Sequence, residues 1–272
     1  MKNLAKSALG VAAIAAAFLH AEEAEAGAWT AQQGDSYNKF AVNYFRSDNA
    51  FGERPGFENF EEANFTYYGE YGITNDVTFI ATVPFRYVET TNFGQTIRNG
   101  GVGDAEIGLR YNFFNKPFVA SAQFLFKAPY FYNEDNPLPL GNGQEDFELR
   151  LLAGKSFGKF GYFGAEVGYR FRLDAPSDEF RYLIEYGVDA TDKIYLRSKL
   201  DTIVAIESTA AGVDLQTGNP ALPLAFNLGR VETTAGYRIN KRFSAEFTAT
   251  TNPFGENIIR GVNYQLALIA AF

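Results

Sequence analysis

From Tyr37 onward the chain alternates between apolar and polar residues, one by one, in run after run. Residues 103–114, GDAEIGLRYNFF, set the pattern. Ala105, Ile107, Leu109, Tyr111 and Phe113 take every second position, and Asp104, Glu106, Gly108, Arg110 and Asn112 lie between them. A period of two belongs to a β-strand with unlike faces. The same pattern predicts strands at Tyr37–Ser47, Asn59–Ile73, Val77–Thr90, Gly103–Phe114, Phe118–Pro129 and Glu145–Phe157. It continues through Phe160–Leu173, Phe180–Thr191, Ile194–Ala205, Ala225–Asn240, Phe243–Thr251 and Gly261–Phe272. Each is about as long as a tilted strand needs to be to cross a bilayer. The total is about twelve, an even number, as a closed single-chain bacterial barrel requires. No segment after Trp29 has a helical period of useful length.

The connections sort by parity. Those after even strands are tiny: Thr74-Asn75-Asp76, Asn115-Lys116-Pro117, Gly158-Lys159, Asp192-Lys193 and Lys241-Arg242. Those after odd strands are long: 48–58, 91–102, 130–144, 174–179, 206–224 and 252–260. A soluble sandwich has no reason to sort its loops this way, whereas outer-membrane barrels keep short turns in the periplasm and long loops outside. The predicted fold is therefore all-β, a single closed antiparallel transmembrane β-barrel spanning residues 29–272, with both termini periplasmic. Tyr264 and Phe272 share the apolar face of the last strand. A strand of this kind ending in Phe resembles the signal read by the barrel-assembly machinery of the bacterial outer membrane.

The alternation also sorts the charges. Arg86, Asp104, Glu106, Arg110, Lys127, Glu148, Arg150, Glu166, Arg170, Arg172, Glu185, Arg197, Lys199, Arg230 and Glu232 fall on one face, together with Glu70, Asp201, Arg238 and Glu246. An Arg or Lys facing lipid at the bilayer midplane costs about 2–4 kcal/mol. This set is accordingly expected to line the lumen, as a path for solutes or as a lattice of ion pairs that fills it. Outer-membrane lipid meets the other face. Gly108, between Glu106 and Arg110, is expected to leave room in the lumen.

The first residues belong to neither face. Lys2 and Lys6 precede the apolar run Ala8–Leu19, which is too short to span a bilayer, and small-x-small sites end at Ala26 and Ala28. This is the form of a cleaved signal peptide covering residues 1–28, cut after Ala26 or Ala28. Composition then narrows the function. Thirty-two acidic residues against twenty-four basic ones argue against nucleic acid as a partner. His20, the single His, lies in the leader, and there is no Cys. Ser-His and Cys-His catalysis and His metal sites are thereby excluded, and neither a cofactor nor a metal is expected. Gly101-Val102-Gly103 lacks the third glycine of a dinucleotide site, and a strand follows it. Glu134, Asp135 and Glu145 match no calcium-loop spacing.

Three stretches carry a resemblance. Gly27-Ala28-Trp29-Thr30 precedes the first strand, residues 70–76 (EYGITND) lead into residues 77–85 (VTFIATVPF), and residues 101–111 (GVGDAEIGLRY) follow. Together they resemble the outer-membrane transporter family grouped with the phenol-degradation meta-pathway proteins. Ala31-Gln32-Gln33 departs from the Gln-Pro usual after the Trp. The resemblance implies a barrel that helps small, often hydrophobic compounds cross the outer membrane. The expected function is a passive, non-enzymatic outer-membrane channel or transporter for small solutes, hydrophobic or aromatic ones included, through or sideways out of a charged lumen. The alternative is a closed structural or adhesive barrel acting through its extracellular loops, which a lumen of fully paired charges would favour.

Overall fold

The computed structural model describes residues 27–52, 58–173, 177–206, 219–223 and 225–272. The leader as far as Ala26 lies outside the described residues, as do parts of the connections 48–58, 174–179 and 206–224. Thirteen strands follow one another: β1 (Ser36–Ala50), β2 (Asn59–Gly72), β3 (Val77–Asn92), β4 (Gln95–Val102), β5 (Ala105–Phe114), β6 (Val119–Ala128), β7 (Asp146–Ser156), β8 (Tyr162–Arg172), β9 (Glu179–Asp189), β10 (Ile194–Ala205), β11 (Asn227–Arg238), β12 (Phe243–Glu256) and β13 (Ile259–Ala271). Sequential strands pair antiparallel, except that β4 and β5 both pair with β3, and β1 pairs with β13 from Tyr37↔Ala271 to Ala50↔Ile259. That seam closes the sheet on itself.

β4 and β5 form one stave in two pieces. β5 pairs with the first half of β3, Val77 to Thr82, and β4 with the second half, Phe85 to Asn92. Between them the chain jogs at Gly103 and Asp104, where the Gly103 amide donates to the Pro84 carbonyl at 2.9 Å. Pro84 has no amide to return, so the ladder thins here. With the two pieces counted as one, the barrel has twelve staves.

Two expected loops are strands. The predicted connection 91–102 is the end of β3, a turn at Phe93 and Gly94 (both at positive φ, 47° and 71°), and β4. The predicted connection 252–260 is the end of β12, a turn through Asn257 (φ 55°), and the start of β13. β4 is exposed along most of its length, so its two faces meet the same solvent and its sequence has no reason to alternate. At the other end the short turns are tight. Ile73, Ala190 and Ile239 amides donate to Val77, Ile194 and Phe243 carbonyls, each at 2.9 Å.

The outer wall is apolar and the inner wall polar. Leu149 is 62% exposed, whereas the next residue back, Glu148, is 1% exposed. Along the last strand Val262, Tyr264, Leu266 and Leu268, and Phe272 just beyond it, are exposed on the outer wall. Tyr264 stacks on Phe247 and Phe272 meets Phe243 edge-on, with ring centroids 6.3 and 6.0 Å apart.

Candidate functional site: an occluded lumen

Strand register sets the luminal charges against one another. Lys199 lies opposite Glu185, Nζ 3.1 Å from Oε2, and opposite Glu232 on its other side. Glu148 faces Arg170 at 2.6 Å, Lys127 faces Asp146 at 2.9 Å, and Asp201 pairs with Arg230. Longer reaches tie the rows together. Arg170 meets Glu106 at 2.6 Å, and Arg150 bridges Glu148 and Glu166, the latter at 2.9 Å. Lys127 also lies 3.4 Å from Asp104, and Arg172 pairs with Glu179. Arg110 meets Glu70 at 3.0 Å, Arg86 meets Glu62 at 2.7 Å and Arg197 meets Glu246 at 3.1 Å. Cross-strand placement of opposite charges keeps each desolvated group partnered. Arg238 sits instead at the turn rim, 2.6 Å from Asp189.

Lys39, Glu62, Asp146, Glu179 and Arg181 belong to the same lattice and escaped the sequence reading. Glu62 and Arg181 stand in phase with Glu70 and Glu185, so strict alternation was enough to find them. Asp146 and Glu179 open their strands, where a phase has no preceding residues to anchor it. Gly108 differs from expectation. A Cβ there would lie 2.2 Å from the Phe124 carbonyl and 2.6 Å from Leu125 Cδ2. The space belongs to Leu125 on the facing strand and is not lumen.

At the turn end, residues 27–34 fold into the barrel. The Ala31 amide donates to Thr78 Oγ1 at 2.8 Å, and Arg110 Nη1 donates to the Trp29 carbonyl at 2.9 Å. Ser121 donates to the Ala28 carbonyl. The Trp29 ring lies flush on Gly154, where a Cβ would come within 2.3 Å of it, and meets Tyr162 edge-on at 6.0 Å. Gly154 is thus a seat for the indole. Nothing periodic marks this segment; a lone apolar Trp29 ahead of the first strand was the only available signal.

At the loop end, connection 130–144 folds inward. Leu138 and Leu140 are buried among Phe60, Val88, Ile203, Leu228, Ile258 and Ile259, which form an apolar collar on the inner wall. Arg86 donates to the Leu140 carbonyl. Asn99 and Asn219 side chains donate to the Leu138 and Pro139 carbonyls, both at 2.8 Å. Tyr132 donates to Asp104 and accepts from the Gly143 amide at 2.8 Å. Burial, with the Asp104 carboxylate beside it, pushes the Tyr132 hydroxyl well above the ordinary tyrosine range, so it stays a donor. Arg86 and Asp104, expected to line a path, therefore tether a loop.

Beside the inner plug, with Gly27 on its border, lies a chamber of about 320 Å³. Of the residues expected to line the lumen, Glu70, Glu106, Arg110, Arg150, Glu166, Glu185, Arg197 and Lys199 border it; the others do not. Lys39, Tyr68 and Gln123 add to its polar wall, and Ile80, Leu125 and Leu183 add apolar patches.

A closed antiparallel barrel of twelve staves, apolar outside and polar within, is the architecture of outer-membrane channel barrels. The fold is similar to that of the COG4313 outer membrane channel from Pseudomonas putida F1, with TM-score 0.70 and 14% identity over 90% of this chain and 98% of that one. It is also similar to the NanC porin (TM-score 0.54, 8% identity, 84% of this chain and 98% of that one). The translocator domain of the autotransporter NalP from Neisseria meningitidis shares it as well (TM-score 0.52, 9% identity, 98% of each chain). No family model matches the sequence, and neither does any curated protein.

Proposed function

We propose that this protein is a passive channel or transporter of the Gram-negative outer membrane for small solutes, hydrophobic or aromatic ones included, held shut here by its two plugs. One observation carries the reading. Segments 27–34 and 130–144, neither of which belongs to the wall, fold into the lumen from its two ends, and a chamber lined by both charge signs borders the first of them. A lumen filled by wall side chains could not open without unmaking the barrel; segments held by a few hydrogen bonds can leave. The names of two similar structures, an outer membrane channel and a porin, support the reading. In this orientation the turns and both termini are periplasmic and segment 130–144 closes the external mouth. The thin ladder at Pro84 and Gly103 is where a sideways exit to lipid would leave the wall. No covalent step is assigned.

The pairing of the luminal charges favours a second reading, a closed structural or adhesive barrel acting through its loops. Planar-bilayer recording on refolded protein separates the two. A chain lacking residues 27–34 and a Leu138→Asp/Leu140→Asp variant are each expected to conduct more than the intact protein. Silence from both, with no uptake defect on deletion of the gene, would establish the second reading.

A further inference from the structure

Gly27 lies inside the barrel, on the border of the chamber. A Cβ built on it would fall 2.1 Å from Glu166 Oε1, so the backbone of Gly27 touches that carboxylate. The amide nitrogen is one bond, about 1.5 Å, from the same Cα. Arg150 takes the other oxygen, Glu166 Oε2, at 2.9 Å, which turns Oε1 toward Gly27. The next two carbonyls are also held, Ala28 by Ser121 and Trp29 by Arg110.

We propose that leader cleavage falls between Ala26 and Gly27, and that the α-ammonium it creates on Gly27 pairs with Glu166 inside the lumen, so that processing builds the latch of the inner plug. Water adds across the Ala26–Gly27 peptide bond, leaving a carboxylate on Ala26 and an amine on Gly27, which is protonated at neutral pH. Cleavage after Ala28 fits worse. It removes the carbonyl that Ser121 holds and puts the new cation on Trp29, the residue whose carbonyl the Arg110 guanidinium already grips. A Cβ at position 27 would meet the Glu166 carboxylate, which Arg150 holds from its other side, so a side chain there would have to displace it. The inference rests on the predicted leader and is independent of the channel reading.

The test uses the full-length gene exported by a Gram-negative host, with protein purified from the outer membrane. Intact mass and N-terminal sequencing are expected to show Gly27 first; Trp29 first, or a retained leader, overturns the proposal. The folded protein is then treated with an amine-acylating reagent at neutral pH. Its α-amine is expected to react about tenfold more slowly than that of Glu166→Gln, as for a group held in a charge-assisted bond. Trp29, the single tryptophan, gives a second readout. Acrylamide quenching is expected to rise in Glu166→Gln while the unheated protein keeps its compact gel mobility. Equal acylation rates together with unchanged quenching would sink the latch even if Gly27 proves to be the first residue.

Discussion

Glu148 is the residue on which the luminal lattice converges. It faces Arg170 across the ladder, holds Arg150 on its own strand, and lies 3.5 Å from Arg181. Removing one member of a buried charge pair costs about 3–5 kcal/mol, because the partner is left uncompensated. Glu148→Gln is therefore expected to destabilise the barrel by several kcal/mol, read as a lower urea midpoint for unfolding from lipid vesicles; a midpoint within error of wild type would refute this. The side of the wall that Glu148 occupies was legible in its sequence phase. Its partners were not, because they are set by register between strands, and register depends on every turn length at once. Gly108 shows the same limit. Phase placed it inside, but only the facing strand reveals that Leu125 occupies the space it leaves.

At the scale of the element, the reading was good wherever the two faces of a strand meet different solvents. All the membrane-crossing strands were legible, to within a few residues at their ends. The hairpin of β3 and β4 was not, since above the apolar band both faces meet water and alternation loses its cause. The two regimes predict opposite tolerances. Leu109 lies in β5, half-exposed on the outer wall, and Leu109→Arg is expected to cost about 2–4 kcal/mol of folding free energy in vesicles. Ile97, on β4 and similarly exposed, is expected to accept Lys within about 0.5 kcal/mol. Equal costs at the two positions would mean that the apolar band extends over the hairpin. Neither plug could be read as an element. Segments 27–34 and 130–144 have no period, and their burial depends on walls distant in sequence, Gly154 and Tyr162 for the first, Val88 and Ile203 for the second.

For the whole molecule, the seam between β1 and β13 has a consequence in time. It joins Tyr37 to Ala271, nearly the whole chain apart, so its closure waits for almost every other residue. Until then the sheet is an open trough with two unsatisfied edges, and in a bilayer such edges have no resting state. The segment that becomes the inner plug hangs from β1, and its anchors lie on β3, β5, β6 and β8. All of these stand in the trough before the seam forms. The plug has no need to thread a finished ring, because the ring is drawn shut around it. In refolding into vesicles, Trp29 emission is expected to reach its final value no later than the compact gel form appears. A slower Trp29 phase would show that the plug enters after closure. With Trp29 settled by the time the ring closes, the order of assembly, as much as the final contacts, explains how a barrel comes to be made with its inner plug already in place.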